Sequence, residues 1–69
     1  MTINEKVKLL REEMGLNGLT TSRLIGINPN VLRFVEIGRN KPSADLIVKI
    51  CKFFNVSADW LLGLKEERN

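Results

Sequence analysis

The sequence predicts an all-α domain built from five short helices. Three observations carry that expectation. Thr2, Asn17, Asn28, Ser43 and Ser57 each stand just ahead of a stretch whose apolar residues repeat at helical spacing, where a side-chain oxygen can satisfy an orphan backbone N–H. Gly15, Gly26, Gly38 and Gly63 follow four of those stretches, at the place where a left-handed residue ends a helix. Phe53-Phe54-Asn55-Val56 is the one strand-like run, and it is too short and too well explained as a helix end.

In chain order, Thr2 and Glu5 have capping-box spacing, and Ile3, Val7, Leu10 and Met14 form the stripe of an amphipathic first helix that Gly15 stops. Asn17 caps a second helix that runs through Leu24 and Ile25 to Gly26, with Gly18 a weak helix former just inside it. Ile27 plugs the turn. Asn28 caps the third helix and Pro29 takes its first position, where the missing N–H is harmless. Leu32 and Val35 face inward, Gly38 closes the helix, and Arg39-Asn40-Lys41-Pro42 is a loop by composition. Ser43 caps a fourth helix with Leu46, Ile47, Ile50 and Phe53 or Phe54 on its apolar face, broken by Asn55. Ser57 caps a last short helix carrying Trp60, Leu61 and Leu62, and Lys65 to Asn69 reads as a frayed tail.

A chain of 69 residues forms one small domain, burying only about 60% of its unfolded surface. The expected organisation is a domain over 1–64 followed by a short tail over 65–69. An apolar content of 43% suits a globular core, and no apolar run is long enough to span a membrane. Charges run through the apolar positions of MTINEKVKLL, unlike a secretory signal, so a cytoplasmic protein is expected. Cys51 stands alone in LIVKICKFF, which excludes an internal disulfide or a multi-cysteine zinc cluster and reads as a small core hydrophobe. The chain contains no histidine and offers no nucleophile–base pair. No enzymatic activity, cofactor, metal or small-molecule substrate is expected.

Residues 17–38 form the most informative segment: two short helices joined by a tight glycine turn, a unit that presents its second helix to the major groove of DNA. The charge distribution agrees. The net charge is +3, yet residues 1–13 are neutral and residues 58–69 carry −1. The middle holds Arg23, Arg33, Arg39, Lys41, Lys49 and Lys52 against Glu36 and Asp45, a local +4 concentrated around the proposed reading unit.

LLREEMGL at 9–16, LIGIN at 24–28, VEIGRNKPS at 35–43 and NVSADWLLGL at 55–64 together resemble the phage lambda repressor and Cro family of helix-turn-helix domains, and the likeness covers Ile3 to Leu64. The resemblance implies a five-helix lambda-repressor-like fold. It also implies a transcriptional regulator of repressor type that binds a palindromic operator in double-stranded DNA as a homodimer. Where the family places a cap and a backbone-contacting Gln, this chain has Asn17 and Gly18, so the cap survives and the Gln contact is lost. The recognition helix opens Asn28, Pro29, Asn30, and its asparagines can meet a phosphate or pair bidentately with adenine. Arg33, one turn beyond Pro29, is the leading candidate for reading a guanine; its alternative is a solvated arginine packing its stem.

Phe34 falls where the family often has a polar residue, and is a candidate for touching a thymine methyl, packing on the following loop, or meeting a protein. Arg39, Asn40 and Lys41 match the family's phosphate-gripping loop, and Arg23 adds a further backbone contact. Glu36 matches an inward-leaning acidic residue that anchors backbone N–H groups or Arg39. Phe34, Ile37, Trp60, Leu61 and Leu64 are candidate dimer or protein contacts, although Trp60 equally suits closure of the core. Gly18, Pro29, Phe34 and Ile37 also support an alternative: a degenerate helix-turn-helix module that binds another protein, such as a partner repressor, in place of an operator.

Overall fold

Each helix starts on the cap that the sequence offers. The computed structural model describes residues 1–69 and contains α1 (Ile3–Glu13), α2 (Gly18–Ile25), α3 (Pro29–Glu36), α4 (Ala44–Phe54) and α5 (Ala58–Leu62), with no strand. The Thr2 hydroxyl accepts from Glu5 N at 3.1 Å while the Glu5 carboxylate accepts from Thr2 N at 2.8 Å, a complete capping box. Asn17 accepts from Thr20 N, Asn28 from Asn30 N, Ser43 from Leu46 N and Ser57 from Trp60 N. All five caps are made by the expected residues, because capping is decided within one helical turn and needs no tertiary partner.

The core comprises Val7 and Leu10 of α1, Leu32 and Val35 of α3, Leu46 and Ile50 of α4, and Trp60 and Leu61 of α5. Ile3, Ile25, Ile27, Ile47, Cys51, Phe54 and Val56 pack around it, partly buried. α2 differs from the others: its fully buried residues are Thr21 and Ser22, both polar. Their hydroxyls donate to Asn17 O at 2.9 Å and Leu19 O at 2.8 Å, back into the turn before them. Small side chains with internally satisfied hydroxyls let α2 seat against α3 and α4 without an orphan donor.

Two expectations are corrected. Met14 does not extend the buried stripe of α1: it is the residue that ends the helix, and it stands 54% exposed. Nor does the tail fray. Arg68 forms a double hydrogen bond with the Glu13 carboxylate at 2.7 and 2.8 Å, lays its guanidinium 5.0 Å from the Trp60 ring centroid, and accepts at its carbonyl from Ser57 N. Lys6 covers Trp60 as well, with Nζ 4.9 Å from the ring centroid and 2.6 Å from the Trp60 carbonyl. Residues 55 apart in sequence meet here, a pairing that local composition does not reveal.

Candidate nucleic-acid interface

The reading unit is created by the turn between α2 and α3. Gly26 adopts φ +87°, the left-handed backbone that costs a side-chain-bearing residue, and Gly26 N and Ile27 N both donate to Ser22 O, at 2.8 and 2.9 Å. The chain therefore reverses tightly, and Asn28 begins α3. Leu32 and Val35 turn α3's inner side into the core at 1% exposure each, which leaves Asn28, Pro29, Asn30 and Arg33 exposed on the other side. Gly18, Leu19, Pro29, Asn30, Arg33 and Ile37 line a cleft of about 290 Å³ between the start of α2 and α3. Asn30 and Arg33, two of the expected base-reading residues, thus share one surface with Gly18.

Asn4 and Arg11 flank Val7 at helical spacing on the side of α1 that packs on α3, and both bind α3. Arg11 makes a two-pronged pair with Glu36, both N–H···O distances 2.8 Å, and donates a third bond to Leu16 O. That pairing raises the affinity of the Arg11 guanidinium for its proton. Glu36 was expected to hold backbone N–H groups or Arg39; its partner is Arg11, because α1 crosses α3 at this level. Asn4 donates from Nδ2 to Val35 O at 2.6 Å and to Asn40 O at 3.0 Å, joining α1 to the end of α3 and to the loop beyond it. Sequence reasoning missed Asn4. The available signal was a short polar side chain one turn before Val7, on the inward side of α1.

The loop after α3 is closely tied. Gly38 N donates to Val35 O, and Arg39 N and Asn40 N both donate to Phe34 O, at 2.9 and 3.1 Å. The Arg39 guanidinium lies 4.7 Å from the centroid of the Phe34 ring, so Phe34 is half-buried beneath it. Ile37, by contrast, is 63% exposed, as expected. Lys41 borders a second groove beside Met1, Pro42 and Leu62 and does not line the cleft. Arg23 is exposed on α2 and does not line either groove.

The electrostatics follow from the pairing. Glu36 is the one acidic residue between Met14 and Ala44, and Arg11 neutralises it. The second ion pair, Arg68–Glu13, lies at the end of α1. Arg23, Arg33, Arg39 and Lys41 therefore stand exposed around α2, α3 and their loop with no carboxylate partner. Two of the expected contact residues are placed elsewhere: Trp60 and Leu61 belong to the core at 8% and 1% exposure, while Leu64 is 75% exposed. The helical repeat of a five-residue segment is too short to define its inner side from sequence.

A family model described as Helix-turn-helix matches residues 7–61. The chain belongs to the helix-turn-helix family. Among curated relatives of this helix-turn-helix domain, Antitoxin PezA of Streptococcus pneumoniae is 40% identical over 61 residues, covering 88% of this chain. The HTH-type transcriptional regulator ImmR of Bacillus subtilis is 29% identical over 66 residues, covering 96% of it. The chain spans 39% and 52% of the lengths of those two proteins. Among solved structures, the P22 c2 repressor in complex with a synthetic operator superimposes with a TM-score of 0.82 over 90% of this chain and 94% of that one, at 16% identity. The repressor-type helix-turn-helix fold expected from the sequence is thereby borne out. No helix is long and apolar enough to cross a membrane.

Proposed function

We propose that this helix-turn-helix domain is a sequence-specific, DNA-binding transcriptional regulator, two copies of which dock on a palindromic operator. The observation that carries the reading is the set of unpaired cations, Arg23, Arg33, Arg39 and Lys41, around a helix that exposes Asn28, Asn30 and Arg33 alongside Val31. Cations without carboxylate partners are free to replace the counterions of a phosphate backbone, and this release supplies affinity. In this reading α3 lies in the major groove. Arg33 pairs with a guanine, and Asn28 and Asn30 meet an adenine edge or a phosphate. Asn17, Arg23, Arg39, Asn40 and Lys41 grip the backbone and fix the register. Bare Gly18, whose Cβ position meets nothing within 4 Å beyond its chain neighbours and its own helix backbone, lets a phosphate approach the start of α2.

So small a reading unit touches few base pairs, and pairing two copies with reading helices roughly 34 Å apart doubles the contact. Of the residues named from the sequence as candidate contacts between copies, Leu64 and Ile37 are the exposed ones. Selection of bound duplexes from a random pool tests the proposal. A palindromic consensus with half-sites one helical turn apart is the expected result; retention of no sequence above background at low salt overturns it.

A second reading, in which this surface docks on a protein, is favoured by Leu19 and Ile37, 48% and 63% exposed at the cleft, and by the antitoxin name of one relative. The same selection separates the two, since a protein-docking surface enriches no operator.

A further inference from the structure

We infer that Phe34 and Asn4 are positioning residues for DNA binding: they hold Arg39 and its loop in a backbone-gripping geometry before any DNA arrives, and Phe34 reads no base. This rests on the DNA-binding reading above and replaces the thymine-methyl contact that the sequence suggested for Phe34. Three features converge on the loop from different directions. The Phe34 ring lies under the Arg39 guanidinium at 4.7 Å. The Phe34 carbonyl accepts from both Arg39 N and Asn40 N, and Asn4 Nδ2 bridges the carbonyls of Val35 and Asn40. Arg39 has no carboxylate partner, so the ring is what restrains its head.

An unrestrained arginine samples many rotamers and must give them up on meeting a phosphate; a guanidinium resting on a ring has already lost most of them. Contact with the ring uses none of the guanidinium's N–H donors in a hydrogen bond to a carboxylate, so they stay able to donate to an oxygen. Asn4 does for the loop backbone what Phe34 does for the side chain. It donates from a helix that takes no part in reading, so α1 becomes part of the grip without approaching the duplex.

The test is a pair of cycles on the whole chain, read by affinity for the selected duplex across a salt series. Phe34→Leu is expected to weaken binding about two- to fivefold on every sequence alike, the value of one exposed cation–ring contact. In an Arg39→Ala background the same change is expected to have no further effect. Phe34→Tyr, which keeps the ring, retains wild-type affinity. Asn4→Ala is expected to weaken binding on all sequences and to speed amide exchange of Asn40, with the melting temperature of each variant confirming that it is folded. In the free protein, ring-current shifts of the Arg39 side-chain protons report the stack without DNA. A Phe34→Leu effect that persists at full size in the Arg39→Ala background, or a changed consensus at one base pair, overturns this inference alone. Wild-type protein that shows the shifted Arg39 protons yet binds no duplex overturns the inference and the DNA-binding reading together.

Discussion

Replacing Glu36 by glutamine removes the charge from the one carboxylate of the reading unit and leaves Arg11 facing an amide. The structure sets the size of the effect. Both side chains are largely withdrawn from water, at 16% and 9% exposure, and they share two hydrogen bonds of 2.8 Å. Hydrogen bonds to charged groups contribute about 1.5–3 kcal/mol each, and removing one member of a fully buried pair costs about 3–5 kcal/mol. Glutamine retains one acceptor and Arg11 keeps Leu16 O, so the expected loss is about 2–3 kcal/mol. In a domain of this size each kcal/mol moves Tm by about 4–8 °C, so Glu36→Gln should melt about 10–20 °C below wild type by circular dichroism. Because the pair ties two helices through charges that must both be desolvated, the double variant Arg11→Met, Glu36→Leu should recover most of that loss. A Glu36→Gln protein melting within about 3 °C of wild type, or a double variant whose loss equals the sum of the singles, refutes the reasoning.

Three further outcomes are expected. Arg33→Ala should relax preference at one base pair by about 1–3 kcal/mol, whereas Lys41→Ala should weaken all sequences alike and lower the salt slope by about one; paired titrations on cognate and scrambled duplexes distinguish them. The Arg68 hydrogen bond holds the Glu13 carboxyl below its ordinary value of 4.5, so the folded chain binds fewer protons there than the unfolded one. The tail contact is therefore complete above about pH 4.5 and is lost as pH falls through the lowered value. Trp60 emission should follow that loss, and Arg68→Ala should show the acid-type spectrum already at neutral pH. Gly26→Ala, with nothing within 4 Å of the added carbon but φ at +87°, should lose about 1–2 kcal/mol in urea unfolding, while Gly18→Ala, equally open and without a left-handed backbone, should lose none.

What was legible in the sequence was whatever is decided within a turn or two of chain. The five caps, the glycine ends and the inward pairs Leu32–Val35 and Leu46–Ile50 followed from local hydrogen bonding and from a helical repeat long enough to define a side. What escaped was the choice of partners. Arg11–Glu36, Asn4–Val35 and Arg68–Glu13 join residues 25, 31 and 55 apart, and each of these side chains had several plausible partners or none until the helices were crossed. Thr21 and Ser22 escaped for a different reason: a residue scale reads a hydroxyl as a surface group, whereas here each is bonded inside its own helix and behaves as a small buried filler. The cations of the reading unit were legible as a composition bias. Their freedom from carboxylates was not, because it depends on Arg11 reaching Glu36.

The buried hydroxyls of α2 have one more consequence. Since they bond only to carbonyls of their own helix, no directional bond from Thr21 or Ser22 locks the tilt of α2 against its neighbours. The seating of α2 is then governed at this seam by bulk: a methyl more or less at either position is expected to act as a shim that shifts α2 against α3 and α4. If α3 enters a groove as proposed, exchanging serine, alanine, threonine or valine at these two sites would alter its inclination while leaving every charged contact on the outside untouched.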